Sequence, residues 1–599
     1  MCDGFSWGHY WDRPGQCQRA RYNVAVLTRV LALAFAAILP AFPQAADLVL
    51  RNGKIVTMNA KAPTAEAIAI RGDRIVAVGT AEQVRRVTGP ATRVIDLRGR
   101  LAIPGLIEGH GHFTGIGAFA MSLNLREARR WDDIVAQVER AAKRAKPGEW
   151  ILGRGWHQAK WAGPPNPNLE GFPLHEALSR VSPDNPVILS HASGHAAFVN
   201  QAAMRAAGIG RDTPSPSGGA IVKDAQGNPT GLLQERAEGL VRTAYNSWRS
   251  RMSEADRTAE ARRTVELASA ECLAKGLTSF QDAGSPFATV DLLRTMADEG
   301  KLPLRLWVML RASNAELERH AAKYRVIGAA GGRLTVRGIK RQIDGALGSR
   351  GAWLLAPYSD LPAGAKNPAG FNTEEPADIR RTAELALRFG YQLCVHAIGD
   401  RANRETLDMF EQVFRSHPEK KDLRWRVEHA QHLSASDIPR LAALGVIPAM
   451  QGIHCTSDAP YVLERLGRAR AGEGAYVWRK LLDSGARIAN GTDAPVEDVS
   501  PIASFYASVS RRLKDGTTFF PAQRMTREEA LRSYTLDAAY AAFEEKEKGS
   551  LEAGKFGDIT VLSRDIMTVP EDQILSTDIV YTIVGGRVAY QNSLLAERN

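Results

Sequence analysis

The sequence lacks a stretch long enough to span a bilayer comfortably as a helix. Its one long apolar run, Val24 to Ala46, carries Arg29 near its start and breaks at Pro40 and Pro43. The uninterrupted middle, Val30 to Leu39, falls well short of the roughly 20 residues that a spanning helix needs. An apolar segment followed by small residues reads as a secretory signal peptide cleaved near Ala45 or Ala46, with an uncleaved anchor as the alternative. The polar stretch Met1 to Tyr22 is long for the start of such a leader and reads as a misassigned start. Residues 1–45 are therefore set aside as a signal peptide with an N-terminal extension. This predicts a periplasmic or secreted protein with no stable membrane insertion after cleavage. Cysteine is equally scarce: Cys2 and Cys17 lie in that stretch, and Cys272, Cys394 and Cys455 are far apart, which excludes a disulfide framework and a CxxC pair. There is no polybasic run, although Lys plus Arg outnumber Asp plus Glu by 77 to 66, so the charge is no nucleic-acid footprint. No internal repeat or low-complexity segment points to a solenoid or a linker.

What is present is a long mixed chain of 599 residues, enough for one barrel with additions or for two domains. After Ala46 come three β-rich runs, DLVLRNGKIVTMN, AEAIAIRGDRIVAVG and TRVIDLRGRLAIPG, punctuated by NG, GD and RG turns: a small antiparallel sheet. The C-terminus mirrors them with GDITVLSRD and DIVYTIVGGRVAY. Residues 46–103 and 549–599 are thus expected to form one composite β-sandwich closed by both termini. Between them short apolar strands alternate with amphipathic helices, the mark of βα units. Strands fall near Gly105–His110, Thr278–Gln281, Leu304–Met309, Gly338–Ile343, Gln392–His396, Arg424–His429, Val446–Ala449 and Arg487–Asn490. Eight is the number that closes a barrel, so residues 104–548 read as an α/β fold, a (β/α)8 TIM barrel. The interval 126–250 is too long for one crossover, and its Trp, Pro and Gly content argues for a subdomain inserted after the first strand, over the active face.

Immediately after the first strand, PGLIEGHGHF places His110 and His112 two residues apart, on one side of a strand and at the barrel mouth. Alone, an HxH pair is more often structural. Comparable residues recur at later strand ends, however: His396 in QLCVHAIGD, His429 in WRVEHAQH and Asp493 in IANGTDAPV. Together they can supply the three or so ligands of a catalytic divalent ion and leave a position open. Asp493 is the natural general base. Lys340, in GIKRQIDGALGSR, aims an amine at the barrel centre. It is either carbamylated, and so an anionic bridge between two cations, or cationic and paired with a carboxylate such as Asp344.

The chain resembles the amidohydrolase superfamily, in the family 3 branch that contains N-substituted formamide deformylase. The text that carries the resemblance runs from about Ala46 to the C-terminus: DLVLRNGKIVTM, PGLIEGHGHF, GRGWHQAKW, SGHAAFVNQAAM, TGLLQERA, GLTSFQDAG, IKRQIDGALGSR, VHAIGDRA, RVEHAQHL, GTDAPV and LEAGKFGDITVL. The resemblance implies that His110 and His112 are strand-one metal ligands, that His396 and His429 are ligands from strands five and six, and that Asp493 is the strand-eight catalytic carboxylate. It also implies that Lys340 stands where binuclear members have a bridging lysine, and that a homodimer is common among relatives. One departure is Glu108, where related sequences usually carry Asp before HxH.

Other polar residues carry two readings each. His195, in SGHAAFVN, is read as binding substrate from the insert, the role the resemblance favours over a structural histidine. His454 after strand seven either faces the mouth and binds substrate or is a loop histidine. Trp156, with His157 and Trp161, forms either an aromatic wall for the substrate or the insert's own core. Arg350 binds an anionic substrate group or makes a surface salt bridge. His432 begins a loop, and Asp282 and Asp344 either tune the site or cap helices. The reaction expected is hydrolysis of a non-peptide C–N bond in an amide, N-substituted formamide or cyclic amide, with one or two divalent ions and metal-activated hydroxide. Zinc fits the His-rich set best. The competing readings are an esterase or lactonase on the same site, and a non-catalytic exported binding protein.

Overall fold

Eight parallel strands follow one another in hydrogen-bonded order around a barrel: β1 (Leu106–Gly111), β2 (Leu277–Ser285), β3 (Arg305–Leu310), β4 (Leu334–Gln342), β5 (Gln392–Ala397), β6 (Arg426–His429), β7 (Ile447–Gln451) and β8 (Ala489–Gly491). The computed structural model describes residues 45–365 and 367–596. The signal-peptide reading rests on residues outside this range. Among the described residues no helix is long and apolar enough to cross a membrane.

Strands β3 and β5 are buried on both faces, which is why they read as short, mostly apolar runs rather than as an alternation. In β3, Leu306, Val308 and Leu310 pack outward into the core shared with the helices, while Trp307 and Met309 point into the lumen beside Cys394 of β5. The same period of two carries His396 to the lumen side of β5, two residues beyond Cys394. The seam between β8 and β1 is closed at the mouth, where Asp493 N–H donates to the His110 carbonyl at 2.8 Å and His112 N–H to that of Ala494 at 2.7 Å. Two glycines permit the approach: a Cβ on Gly109 would lie 2.5 Å from the Asn490 carbonyl oxygen, and one on Gly491 2.6 Å from the His110 nitrogen.

Both termini share one eight-stranded sheet, in which Ile559–Leu562 runs antiparallel to Leu101–Pro104. The sheet is mixed rather than antiparallel as expected. Leu48–Val56 pairs antiparallel with Thr64–Arg71 but parallel with Arg93–Asp96 and Leu101–Pro104. The cause is the short helix Ala81–Arg85, which provides the crossover that a parallel return requires. Leu50, Ile55, Ile68 and Ile70 from the N-terminus pack with Ile559, Val561 and Ile583 from the C-terminus.

The insert is a six-stranded sheet running from Leu123–Asn124 to Pro229–Glu235 and Gly219–Lys223. Alternation again decides its packing. Val187, Leu189, Phe198 and Leu232 fill one core with Trp131, Trp156 and Trp161, while Ile188, Val199 and Leu233 fill another against Met204 and Val241.

The terminal sheet is tied to the barrel by a bidentate ion pair, Arg305 Nε to Asp558 Oδ2 at 2.7 Å and Nη2 to Oδ1 at 3.0 Å, with both residues almost fully buried. Removing one partner strands the other charge, so Arg305→Met is expected to destabilise the protein by about 3–5 kcal/mol, read as a lowered urea midpoint. A loss below about 1 kcal/mol would show that the pair is no anchor.

Candidate metal centre

The strand ends bring His110, His112, His396, His429 and Asp493 to one place. His110 Nε2 and His112 Nε2 lie 3.5 and 3.2 Å from the same oxygen, Asp493 Oδ1, and the donor atoms of these three residues fall within 4.8 Å of one another. The His429 ring centroid is 4.7 Å from that of His110 and 4.4 Å from that of His396.

Neighbouring groups determine which ring nitrogens have a lone pair to offer. His110 Nδ1 contacts Glu428 Oε2, a carboxylate that can only accept, so the proton sits on Nδ1 and the lone pair on Nε2. Gln451 Nε2 donates to the Ala449 carbonyl at 3.0 Å, which orients the amide so that its oxygen accepts from His429 Nδ1 at 2.8 Å. His429 Nε2 is thereby the free acceptor. Among the described residues, His110 Nε2, His396 Nε2 and Asp493 Oδ1 are buried with no hydrogen-bond partner; the first and last face one another, while His396 Nε2 lies 3.4 Å from Asp344 Oδ1. Several orphaned acceptors aimed together are what a divalent cation satisfies, and this N/O set fits one.

The charges agree with that reading. Burial holds His396 and His429 well below the usual histidine range, so both are neutral, the form that binds metal. Burial pushes the Asp493 carboxyl up, but the adjoining imidazoles of His110 and His112 outweigh this and keep it ionised, well below the usual carboxylate range. Glu428 is likewise driven up by burial and brought down further by Arg426 and His110. Arg426 binds Glu428 through Nε at 2.6 Å and also donates to Gln281 Oε1 at 2.5 Å and the Gly109 carbonyl at 2.7 Å. Glu108, raised to about 8 by burial, accepts from Thr492 N–H at 2.5 Å and Thr492 Oγ1 at 3.1 Å, which ties β1 to the turn bearing Asp493.

Backbone strain collects at the same residues. His429 and Asp493 have φ of 80° and 55°, left-handed values that cost a non-glycine residue on the order of 1–3 kcal/mol. In β6 that twist lets Glu428 and His429, adjacent in sequence, both address the centre.

The centre opens into a cavity of about 870 Å³ lined by barrel residues, among them Lys340, His396 and Asp493, and by insert residues, among them Arg154, His195 and Glu235. Lys340 is almost fully buried on this wall, and burial lowers its amine to about 8. It makes no ion pair with Asp344. Asp344 instead accepts from the backbone N–H groups of Trp353, Ile398 and Gly399 at 2.8–3.0 Å, with its carboxyl raised by burial to about 7. His195 donates from Nδ1 to Glu235 Oε2 at 2.9 Å, and its ring lies 5.4 Å from that of His396. His454 lines a small adjoining lobe, where Nδ1 accepts from Gln431 Nε2 at 3.1 Å. Asp282 accepts from Phe113 N–H at 2.9 Å, capping the helix after β1, and His432 is buried at the loop after β6.

Two expected substrate contacts are not made. Trp156 is fully buried in the insert core, donates to the Leu189 carbonyl at 2.8 Å and stacks on Trp161, because the strand's alternation turns it away from the cavity. Arg350 lies outside the lining and is held by Asp360 at 3.0 Å, so the salt-bridge alternative describes it. Conversely, Glu428, Arg426, Gln451 and Arg154 were not singled out in the sequence. A signal for the first two was there: R-V-E in a buried strand puts two opposite charges on one lumen-facing side.

A family model described as the amidohydrolase family matches residues 93–590. The chain is 32% identical over 564 residues to Protein LONG AFTER FAR-RED 3 of Arabidopsis thaliana, covering 91% of this chain and 92% of that one. It is 30% identical over 561 residues to N-substituted formamide deformylase of Arthrobacter pascens, covering 92% and 99%. Among solved structures it resembles an uncharacterized metal-dependent hydrolase from Pyrococcus horikoshii, with a TM-score of 0.70, 25% identity, and coverage of 88% and 99%.

Because Glu428 fixes the His110 proton, Glu428→Gln is expected to weaken divalent-ion affinity about 10–100-fold in calorimetric titration; unchanged affinity would remove Glu428 from the account. Trp156→Ala is expected to lower unfolding stability by about 3–5 kcal/mol. A change in KM with stability intact would restore Trp156 to the cavity.

Proposed function

Since the chain belongs to the amidohydrolase family, we propose that it is a metal-dependent hydrolase that cleaves a non-peptide C–N bond in a small amide, N-substituted formamide or cyclic amide. The observation that carries this reading is the convergence of donor atoms from His110, His112 and Asp493 within 4.8 Å of one another at the mouth of the barrel. His110, His112, His396 and His429 would hold one or two divalent ions, with zinc the best match to an imidazole-rich set. Such an ion lowers the pKa of water to about 7 and polarises a carbonyl. Asp493, kept ionised, takes the proton of the attacking water on a carboxylate oxygen and passes it to the leaving nitrogen. His195, raised above its ordinary value because Glu235 outweighs the effect of burial, lines the cavity and would steady the carbonyl oxygen as it gains charge whenever its ring carries the second proton. His454 shapes the adjoining lobe.

For Lys340 the missing contact with Asp344 argues against the ion-pair reading, and its place on the wall beside His396 and His429 supports carbamylation and a second cation. The formamide deformylase relative favours amide over ester substrates. Assay of a panel of N-substituted formamides, cyclic amides and esters decides between them, and faster turnover of esters would overturn the assignment. Within that panel Asp493→Asn is expected to lower kcat about 10²–10⁴-fold with metal content retained. Activity within about threefold of wild type would exclude Asp493 as the proton carrier.

A further inference from the structure

The cavity wall is unbalanced in charge. Each of its carboxylates has a partner: Glu235 with His195 at 2.9 Å, Glu238 with Arg242 at 2.9 Å, Glu374 with Arg341 at 2.7 Å, and Asp493 with His110 and His112. Arg154 has none among the described residues. It projects from the insert strand Ile151–Trp156, its Nη2 donates to the Ala192 carbonyl at 3.3 Å, and its Nε is buried without a hydrogen-bond partner among those residues. Arg236 and Arg311 also line the cavity with no carboxylate partner among the described residues, and Arg311 donates to Gln342 Oε1 at 2.9 Å. A bound divalent ion would make the cavity more positive still.

Burial without a counter-ion disfavours a charged guanidinium unless something arrives to pair with it. Arg154 stays cationic at neutral pH even though burial lowers it to about 10, and the largest charge acting on it is that of Asp493. Arg154 lines the same cavity as Asp493, the space in which the scissile bond would be placed. A planar fork with free donors matches a carboxylate through two parallel hydrogen bonds.

We infer that the substrate carries a carboxylate near its scissile amide, and that Arg154 is the specificity-determining residue that receives it. This rests on the hydrolase reading but not on catalysis itself. Arg154 positions and selects, and the wider positive field of Arg236 and Arg311 draws the anion into the cavity.

The test is a fluorescence titration of the wild-type protein with N-formyl amino acids and their methyl esters, with turnover followed in parallel. The acids should bind at least about 10-fold more tightly than their esters. Arg154→Ala should abolish that preference while leaving ester binding within about threefold, Arg154→Lys should restore part of it, and Arg350→Ala, outside the cavity, should retain it. Equal binding of acid and ester by the wild type, no binding of any acid, or a preference that survives Arg154→Ala would overturn the inference. The acid-to-ester ratio of the wild type decides even if the Arg154 variants fail to fold. Binding with the expected preference but no turnover of any amide would instead sink the hydrolase reading and leave the carboxylate site standing.

Discussion

A carboxylate with no access to water, Glu428 on β6, lies between Arg426 on the same strand and the His110 imidazole from across the barrel. Such a group is stable only if both its lone-pair sets are used, and here they are: Arg426 neutralises it, and His110 must donate to it. The geometry of the centre follows, because a proton fixed on His110 Nδ1 forces the lone pair of Nε2 toward Asp493. Buried pairs of this kind contribute little net stability, since desolvation offsets most of the attraction. What this pair contributes is direction. With Gln451 doing the same for His429, two imidazoles are oriented before any ion binds, so binding needs less reorganisation.

The second constraint is the seam where β8 meets β1. Both residues that complete the centre from this side, His112 and Asp493, lie just beyond the strands, where backbone hydrogen bonds replace the ladder. Asp493 is held in a left-handed conformation there, and Glu108 supports it by accepting both donors of the preceding Thr492. A shorter acid at position 108 would have less reach across the seam. Glu108 thus acts on Asp493 through one intervening residue.

Barrel strands such as β3 and β5 were legible because strands buried on both faces leave mostly apolar runs that local turns interrupt. The parallel pairs of the terminal sheet were not, because pairing between Leu48–Arg51 and Arg93–Asp96 depends on a crossover rather than on any local pattern. The histidines at strand ends stood out because a polar residue closing an apolar run has few structural reasons to be there. Trp156 and Arg350 misled for the opposite reason: in an insert or a long loop, a large side chain's direction is decided by contacts distant in sequence, Leu189 for the one and Asp360 for the other. Arg154 was hidden in the same way, one strand position of the insert among many, until the cavity showed what it faces.

The insert and the barrel divide the work. The barrel, through strand periodicity, fixes the donors that would hold an ion and move a proton, and the insert supplies Arg154, His195 and Glu235, which shape what enters. The central claim is that imidazoles from β1, β5 and β6 gather at one metal centre. Anomalous X-ray scattering from a crystal, recorded on both sides of the metal absorption edge, tests it most directly. The account predicts a peak within about 2.0–2.3 Å of nitrogens of His110 and His429. A fully folded, metal-supplemented protein with no peak there, or with its only peak elsewhere, would contradict it.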